Sequence, residues 1–414
     1  METLALILAG GRGTRVDILS EQRVKPSIPF AGKYRIIDFT LSNCTNSGIF
    51  NIAIMTQYLP LSLVDHIGIG RPWDLDRRDA KLTMLQPHRG WYEGTADAVL
   101  KNIEFVESRN PELVLILSGD HVYRMDYREV IQLHKEKNAE ITVCTLPVSL
   151  EEAPRFGILS TDGDGQIIDF EEKPKKPKST LASMGIYVFN KDVLLDLLRS
   201  NQEPDLDFGK HLIPRSVGKR RMYAFEFNGY WRDVGTYDAY LEANLELTQT
   251  YSPEILDMYD PEWKFYTKSE DLPAVKISRT AEIKKALLSN GAIVSGHVER
   301  SVLSPGVIIH PGATVINSVL LNGVRVREGA YIENCIIDKN CDIGANARIG
   351  EGDDLTPNKD KPDVLFSGIT VLAKRVLIPE NAVIGRNCRI YPVSDLSIYQ
   401  NPIPSGETIG ISRG

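Results

Sequence analysis

Leu4-Ala5-Leu6-Ile7-Leu8-Ala9-Gly10-Gly11-Arg12-Gly13-Thr14-Arg15 decides how this chain is read. An apolar run of strand length empties into a glycine-rich loop carrying two arginines, and Lys25-Pro26 follows ten residues later. Glycines without a Cβ let the chain turn sharply and bring N–H groups close to phosphate oxygens, while Arg15 and Lys25 can neutralise charge on the same anion. The plainer alternative is a tight turn after a buried strand. The spacing matches neither the Gly-Lys-Ser/Thr phosphate loop nor the dinucleotide fingerprint, which needs a third glycine opening a helix and an acid about 20 residues on.

Outward from that loop, short apolar runs alternate with amphipathic stretches as far as about residue 250. The pattern predicts strands over 3–8, 51–56, 112–118, 140–148 and 181–189, and helices over 36–47, 94–107, 127–137, 190–200 and 236–249. Such alternation argues for an α/β, Rossmann-like domain with a mainly parallel sheet, whose ligands sit beyond the carboxyl ends of the strands. With 414 residues a second domain is expected. Residues 251–289, interrupted by Pro253, Pro261 and Pro273, read as a linker that packs on something, because Trp263, Phe265 and Tyr266 are poor candidates for free solvent. From 290 to 414 the texture is hexapeptide. Val307, Ala313, Val319, Arg325, Tyr331, Ile337, Ile343 and Ile349 recur every six residues, with Pro305, Pro311, Asn317, Gly323, Gly329, Cys335, Cys341 and Ala347 two before them. That register predicts a parallel β-helix with Arg325 as its one misfit, resuming at Ile378, Ile384 and Ile390 after a polar excursion over 351–368.

A net charge of −7 gives no footprint for nucleic acid or an anionic membrane, so an anionic substrate must be held by local cations. The five cysteines are scattered without a CxxC, which argues for packing rather than for disulfides or zinc. No apolar run approaches the length of a membrane span and no leader pattern opens the chain, so a cytoplasmic protein is expected.

Two acids stand where chemistry is expected. Asp120 follows the apolar strand in Ser118-Gly119-Asp120-His121, and Asp233 lies in Tyr230-Trp231-Arg232-Asp233-Val234-Gly235-Thr236. Two carboxylates and a triphosphate together suit octahedral Mg²⁺, whereas either acid alone reads as a cap. Trp91-Tyr92-Glu93-Gly94-Thr95 opens a helix with an aromatic able to lie along a base or sugar. Phe156-Gly157 and Glu171-Glu172-Lys173-Pro174 flank a hairpin turn, where a Glu-Lys pair offers an acceptor for hydroxyls and a cation for a phosphate. Ser183-Met184-Gly185-Ile186-Tyr187 and Asp207-Phe208-Gly209-Lys210 would complete such a pocket.

In order and spelling these motifs resemble the bacterial ADP-glucose pyrophosphorylase family of sugar-nucleotide pyrophosphorylases. The strings are LILAGGRGTR (6–15), RIIDFTLSNCTNSG (35–48), WYEGTADAV (91–99), SGDHVY (118–123), LASMGIYVF (181–189) and YWRDVGT (230–236). The resemblance implies a nucleotidyltransferase domain followed by a left-handed parallel β-helix for regulation and assembly, and Mg²⁺-dependent transfer of AMP from ATP to α-D-glucose 1-phosphate in glycogen synthesis. It implies that Gly10, Gly11, Gly13, Thr14, Arg15 and Lys25 hold the triphosphate, and that Gln57, Tyr92 and Gly94 surround adenine and ribose. Asp120 and Asp233 would bind Mg²⁺, so that Arg15, Lys25, Asp120 and Asp233 form the catalytic set. Glu172 and Lys173 would take the glucose hydroxyls and phosphate, with Gly157, Ser183, Tyr187 and Asp207 lining the sugar. A homotetramer and an anionic effector near Arg23 and Arg35 are the family expectation. Gln22 stands where sugar-bisphosphate-activated members place a lysine, which leaves the effector open. Competing readings are a non-catalytic regulatory paralogue, a sister enzyme using another nucleoside triphosphate, and an acyltransferase using His297 or His310 of the β-helix.

Overall fold

A computed structural model describes residues 2–11, 13–88, 90–201, 203–249, 252 and 254–411. Arg12 and Pro253, both part of the reading above, lie outside the described residues. Among those described, and apart from the two-residue pair Pro29–Phe30 and Tyr34–Arg35, the strands of the first lobe are β1 (Thr3–Leu8), β2 (Asn51–Met55), β3 (Lys81–Leu85), β4 (Leu113–Ser118), β5 (His121–Tyr123), β6 (Ile141–Pro147), β7 (Gly157–Thr161), β8 (Ile167–Glu172), β9 (Leu181–Asn190), β10 (Met222–Glu226) and β11 (Trp231–Asp233). Nine of them form one sheet, ordered β8-β7-β9-β4-β1-β2-β3 with β6 and β10 joined through β9.

The apolar alternation of β1 explains its central place. Leu4 and Leu6 join one apolar cluster with Val114 and Ile116, and Ala5 and Ile7 join another with Leu115 and Leu117. Both faces of the sheet are therefore covered, as the near-continuous apolar runs require. The pairs β1–β2, β1–β4, β2–β3 and β6–β10 are parallel. β9 runs antiparallel to β4, β6 and β7, so the sheet is mixed around one long inserted strand.

Helices Ile36–Asn46, Tyr127–Glu136 and Lys191–Ser200 lie where the periodicity puts them. The stretch 94–107 is two helices, Thr95–Leu100 and Ile103–Arg109. At the break, Asn102 turns its side-chain amide onto Ala98 O at 2.8 Å and Tyr92 Oη at 2.9 Å, the local competition with the ladder that disfavours Asn inside helices. The last helix stops at Glu246, short of 249.

The linker packs as its aromatics demand. Trp263 and Phe265 are buried, Trp263 Nε1 donates to Asn43 Oδ1 at 3.1 Å, and the backbone N–H of Tyr266 donates to Ser42 Oγ at 2.9 Å.

Beyond the linker, short parallel strands stack into a β-helix. Its central coils are not three full hexapeptides. Thr314 pairs with Tyr331, and Tyr331 with Arg348, so the repeat there is 17 residues, whereas Val371 to Arg389 spans a full 18. One side of each 17-residue coil is a residue short, and a strict six-residue register slips there. Tyr331 is half-exposed and joins Arg325 as a misfit, while Val324, Val326, Ala330 and Ile332 fill those inward places. The next step, Arg348 to Val383, is 35 residues because the excursion 351–368 is inserted. That excursion packs back on the last coils: Asn358 is fully buried, its amide donating to Asn387 O and Gly406 O, and Leu365 is buried beside it. All five cysteines are free and buried.

The lobes share a core. Val16, Ile18, Phe30, Phe39, Tyr237 and Tyr240 belong to the same apolar cluster as Val294, Val302, Leu320 and Ile337 of the β-helix. Among the described residues no helix is long and apolar enough to cross a membrane.

Candidate active site

The glycine-rich loop leaves β1 at the carboxyl edge of the sheet. It is anchored where Ala9 N–H donates to Met55 O at 2.9 Å and Gly119 N–H donates to Leu8 O at 3.0 Å. Gly13 takes φ +65°, and a Cβ there would come within 3.1 Å of Lys25 Cβ. The positive φ and the close passage of the lysine stem together explain the glycine.

Lys25 is the centre of charge. Its Nζ lies 3.0 Å from Asp120 Oδ2 and 2.9 Å from Asp233 Oδ1, and only 6 % of its side chain is exposed. Asp120 follows β4 and accepts from the Ser118 hydroxyl. Asp233 arrives from more than a hundred residues away because β11 pairs antiparallel with β5, setting Asp233 opposite His121. Burial alone would lower the Lys25 value, but the two carboxylates outweigh it and hold the ammonium above its ordinary range. Burial would likewise raise both acids, yet Lys25 and His121 pull Asp120 far down and Asp233 down. Arg15, exposed at the rim, reaches Asp233 Oδ2 at 3.6 Å.

Among the described residues no cluster of three or more His, Cys, Asp or Glu side chains could hold a metal by itself. The donor set present, two ionised carboxylates beside one buried cation, fits a divalent ion that draws its remaining oxygen ligands from a polyphosphate.

A cavity of about 620 Å³ opens from this cluster. Of the predicted residues, Gly10, Gly11, Gln57, Tyr92, Gly94, Asp120, Gly157, Glu172, Lys173, Ser183, Tyr187 and Asp207 line it. Gly13, Thr14, Arg15, Lys25 and Asp233 stand outside the lining, at the rim or beneath it. Gln57 pairs with the backbone of Tyr92 in both directions, donating to its carbonyl at 3.0 Å and accepting from its N–H. Its amide therefore pins the irregular segment that carries Tyr92.

Gly94 is glycine because the chain packs closely against it. A Cβ there would fall 2.2 Å from Leu206 O, and that carbonyl instead caps the helix by accepting from Ala96 and Asp97 N–H. Thr95 ties the same corner down, donating to Asp207 Oδ2 at 2.8 Å. The neighbouring Trp91 is 63 % exposed.

On the far wall, Lys173 takes φ +50° and sets its Nζ 3.4 Å from Glu172 Oε1. Tyr187 stacks on Phe208 at 5.6 Å, and a bulge between Ser183 and Tyr187 turns Ser183 into the cavity wall.

Two basic lining residues, His121 and Arg155, carried no role in the sequence reading. His121 sits 3.6 Å from Asp120 and edge-on to Trp231, its Nδ1 buried with no hydrogen-bond partner among the described residues. Arg155 adds a second cation beside Lys173, whose N–H donates to Phe156 O at 3.0 Å. The hairpin pattern already pointed there, since pairing Gly157 with Glu172 sets Phe156 opposite Lys173 and Arg155 one residue further along.

Arg23 and Arg35 lie away from the cavity, where the lobes meet. Arg23 forms a buried ion pair with Asp338 of the β-helix, and Arg35 donates to Ser27 Oγ at 2.8 Å and to Ser62 O at 2.5 Å. Burial, with repulsion from Arg35 and Arg23, lowers the neighbouring Lys339 to about 8. His297 lies 3.3 Å from Glu282 and 3.2 Å from Glu299, and His310 lies 2.9 Å from Glu328. Both have carboxylate neighbours that the sequence did not announce, and neither lines the cavity.

A glycine-rich loop beside two carboxylates at the carboxyl edge of an α/β sheet defines a nucleotidyl transferase, and the family model of that description, Nucleotidyl transferase, matches residues 4–250. The model for a GlmU-like, C-terminal hexapeptide matches residues 272–372. Curated glucose-1-phosphate adenylyltransferases are similar over nearly the whole chain. That of Thermomicrobium roseum is 48 % identical, covering 99 % of this chain and 97 % of its own; that of Thermosipho africanus is 48 % identical (98 % and 99 %), and that of Acetivibrio thermocellus 45 % (94 % and 93 %). The chain belongs to the glucose-1-phosphate adenylyltransferase family.

Proposed function

We propose that this chain transfers AMP from ATP to α-D-glucose 1-phosphate, releasing pyrophosphate and forming ADP-glucose for bacterial glycogen synthesis in the cytoplasm. The observation that carries the reading is one continuous cavity joining the glycine-rich loop and the Lys25–Asp120–Asp233 cluster to Glu172 and Lys173. Gly10, Gly11, Gly13 and Thr14 of the loop, with Lys25, hold the triphosphate, and Arg15 stands at the rim over the leaving pyrophosphate. Gln57, Tyr92 and Gly94 border the base and ribose. Glu172 takes the sugar hydroxyls, Lys173 with Arg155 the sugar phosphate, and Gly157, Ser183, Tyr187 and Asp207 close the sugar side.

A phosphate oxygen of the sugar attacks the α-phosphorus in line; the new P–O bond forms as the bond from that phosphorus to the β-phosphate bridge breaks. The attacking oxygen is already ionised, so no general base is required, and the residues act by positioning and by neutralising charge. Nucleotidyltransferases generally use a divalent metal; Mg²⁺ held by Asp120 and Asp233 would supply charge neutralisation at the reacting phosphate.

The proposal extends to assembly as a homotetramer, supported by Ile277, Leu377 and Val383 standing exposed on the β-helix. It also extends to an anionic effector at Arg23, Arg35 and Lys339, where burial first, and then the neighbouring cations, lower both Arg35 and Lys339. Pyrophosphate release with glucose 1-phosphate and Mg²⁺, comparing ATP, UTP, dTTP and GTP with and without fructose 1,6-bisphosphate or fructose 6-phosphate, tests the whole. Turnover confined largely to ATP is expected; preference for another triphosphate moves the chain to a sister activity, and no turnover makes it a regulatory paralogue. Lys173→Ala is expected to raise the KM for glucose 1-phosphate about 10- to 100-fold, the worth of a charge-assisted hydrogen bond, with the KM for ATP unchanged. A defect confined to ATP would take Lys173 out of the sugar-phosphate site.

A further inference from the structure

Asp17, two residues beyond Arg15, is a junction of three parts of the chain. Its Oδ2 accepts from Arg389 of the β-helix at 2.5 Å, and its Oδ1 accepts from Tyr237 Oη at 2.8 Å and from Ile18 N–H at 2.9 Å. Tyr237 is fully buried and opens the helix that follows Asp233-Val234-Gly235-Thr236. That same segment touches Arg15, since a Cβ on Gly235 would fall 2.7 Å from its Nη2. One carboxylate thus ties the exit of the glycine-rich loop to the segment carrying Asp233, and both to the penultimate described strand of the β-helix.

Arg389 is an unusual residue for its place. It is 7 % exposed between buried Cys388 and Ile390; its other Nη2 bond goes to Tyr391 Oη at 2.8 Å, and its Nε is buried with no partner among the described residues. A buried guanidinium costs desolvation that a well-packed apolar side chain would avoid, so the pair is a poor device for holding the lobes together. The shared apolar core already does that. What a buried pair supplies better is one arrangement out of several.

We propose that Arg389 is a positioning residue for the nucleotide site: through Asp17 it fixes where the glycine-rich loop leaves the site with Arg15, and through Asp17 and Tyr237 where Asp233 stands. The contact reaches the triphosphate side of the cavity and leaves the Glu172–Lys173 wall alone. The inference rests on the nucleotide reading of the loop given above; wild-type enzyme that does not turn over ATP refutes that reading, whereas the variants below judge Arg389.

The experiment is steady-state kinetics on full-length Arg389→Met, Arg389→Lys and Asp17→Asn, with thermal unfolding of each. Arg389→Met is expected to lower kcat/KM for ATP on the order of ten- to a hundredfold, the usual cost of a displaced substrate-positioning group, with the KM for glucose 1-phosphate changed less than about twofold. Arg389→Lys should recover most of the loss, and Asp17→Asn should reproduce the ATP-specific defect. A KM for ATP that stays at the wild-type value, a loss of kcat that only follows the folded fraction, or a lysine variant no better than methionine overturns the proposal. Should Arg389→Met fail to fold, Asp17→Asn decides alone: an ATP-specific KM defect upholds the proposal and an unchanged KM overturns it.

Discussion

Asp120→Ala is expected to abolish ADP-glucose synthesis, by a factor on the order of a thousand, while the chain still folds. Asp120 is the carboxylate on which the cluster converges, taking the Ser118 hydroxyl on one oxygen and Lys25 on the other. Removing it leaves Lys25 paired with Asp233 at 2.9 Å, so the buried ammonium keeps a counter-ion and the fold keeps its charge balance. Asp120→Asn preserves the shape but not the charge and should be nearly as inactive. Pyrophosphate release with ATP and glucose 1-phosphate, alongside circular dichroism, measures both; turnover within tenfold of wild type would remove Asp120 from the site. The pH dependence has a definite sign. Asp120 and Asp233 are held below the usual carboxylate range, so their pairing stabilises the native state above the ordinary value of about 4. That contribution is lost as the pH falls through the lowered values. Asp120→Ala should accordingly flatten part of the acid limb of the stability profile.

The second large effect is on stability. Asp338→Ala strands Arg23, of whose side chain 5 % is exposed, without its counter-ion, and loss of one partner from a buried pair costs about 3–5 kcal/mol. Replacing both, as Arg23→Met with Asp338→Leu, removes the uncompensated charge and should restore most of that loss. Thermal unfolding of the single and double variants tests this, and a double variant as unstable as the single one would show that packing at the lobe boundary, not charge, sets the cost.

How much of this was legible in the sequence depended on distance along the chain. The first strand, its loop and the strand before Asp120 were readable because runs such as Leu113 to Leu117 must be buried on both faces, and glycines after them must turn. The hairpin carrying Glu172 and Lys173 was readable from its own turn. The meeting of Asp120 with Asp233 was inferred from chemistry alone, since the β5–β11 ladder that brings it about leaves no local signal. The six-residue pattern identified the β-helix, but a coil one residue short shifts the inward stack from Tyr331 to Ile332, and only the strand register reveals it. The packing that requires glycine at position 94 was not legible, because nothing nearby in sequence announces Leu206 O as its neighbour. The ion pairs of Arg23 with Asp338 and Asp17 with Arg389 are invisible for the same reason: nothing in the sequence names either partner until the two lobes are packed.

The bond between Arg389 and Asp17 joins positions 372 residues apart. A ribosome adding roughly 5–20 residues per second needs tens of seconds to cover that distance. Throughout that interval the nascent first lobe has its glycine-rich loop and both acids but lacks the residue that holds them in register. An enzyme wired this way keeps nucleotide turnover on the order of ten- to a hundredfold below its full rate until Arg389 has been made and packed.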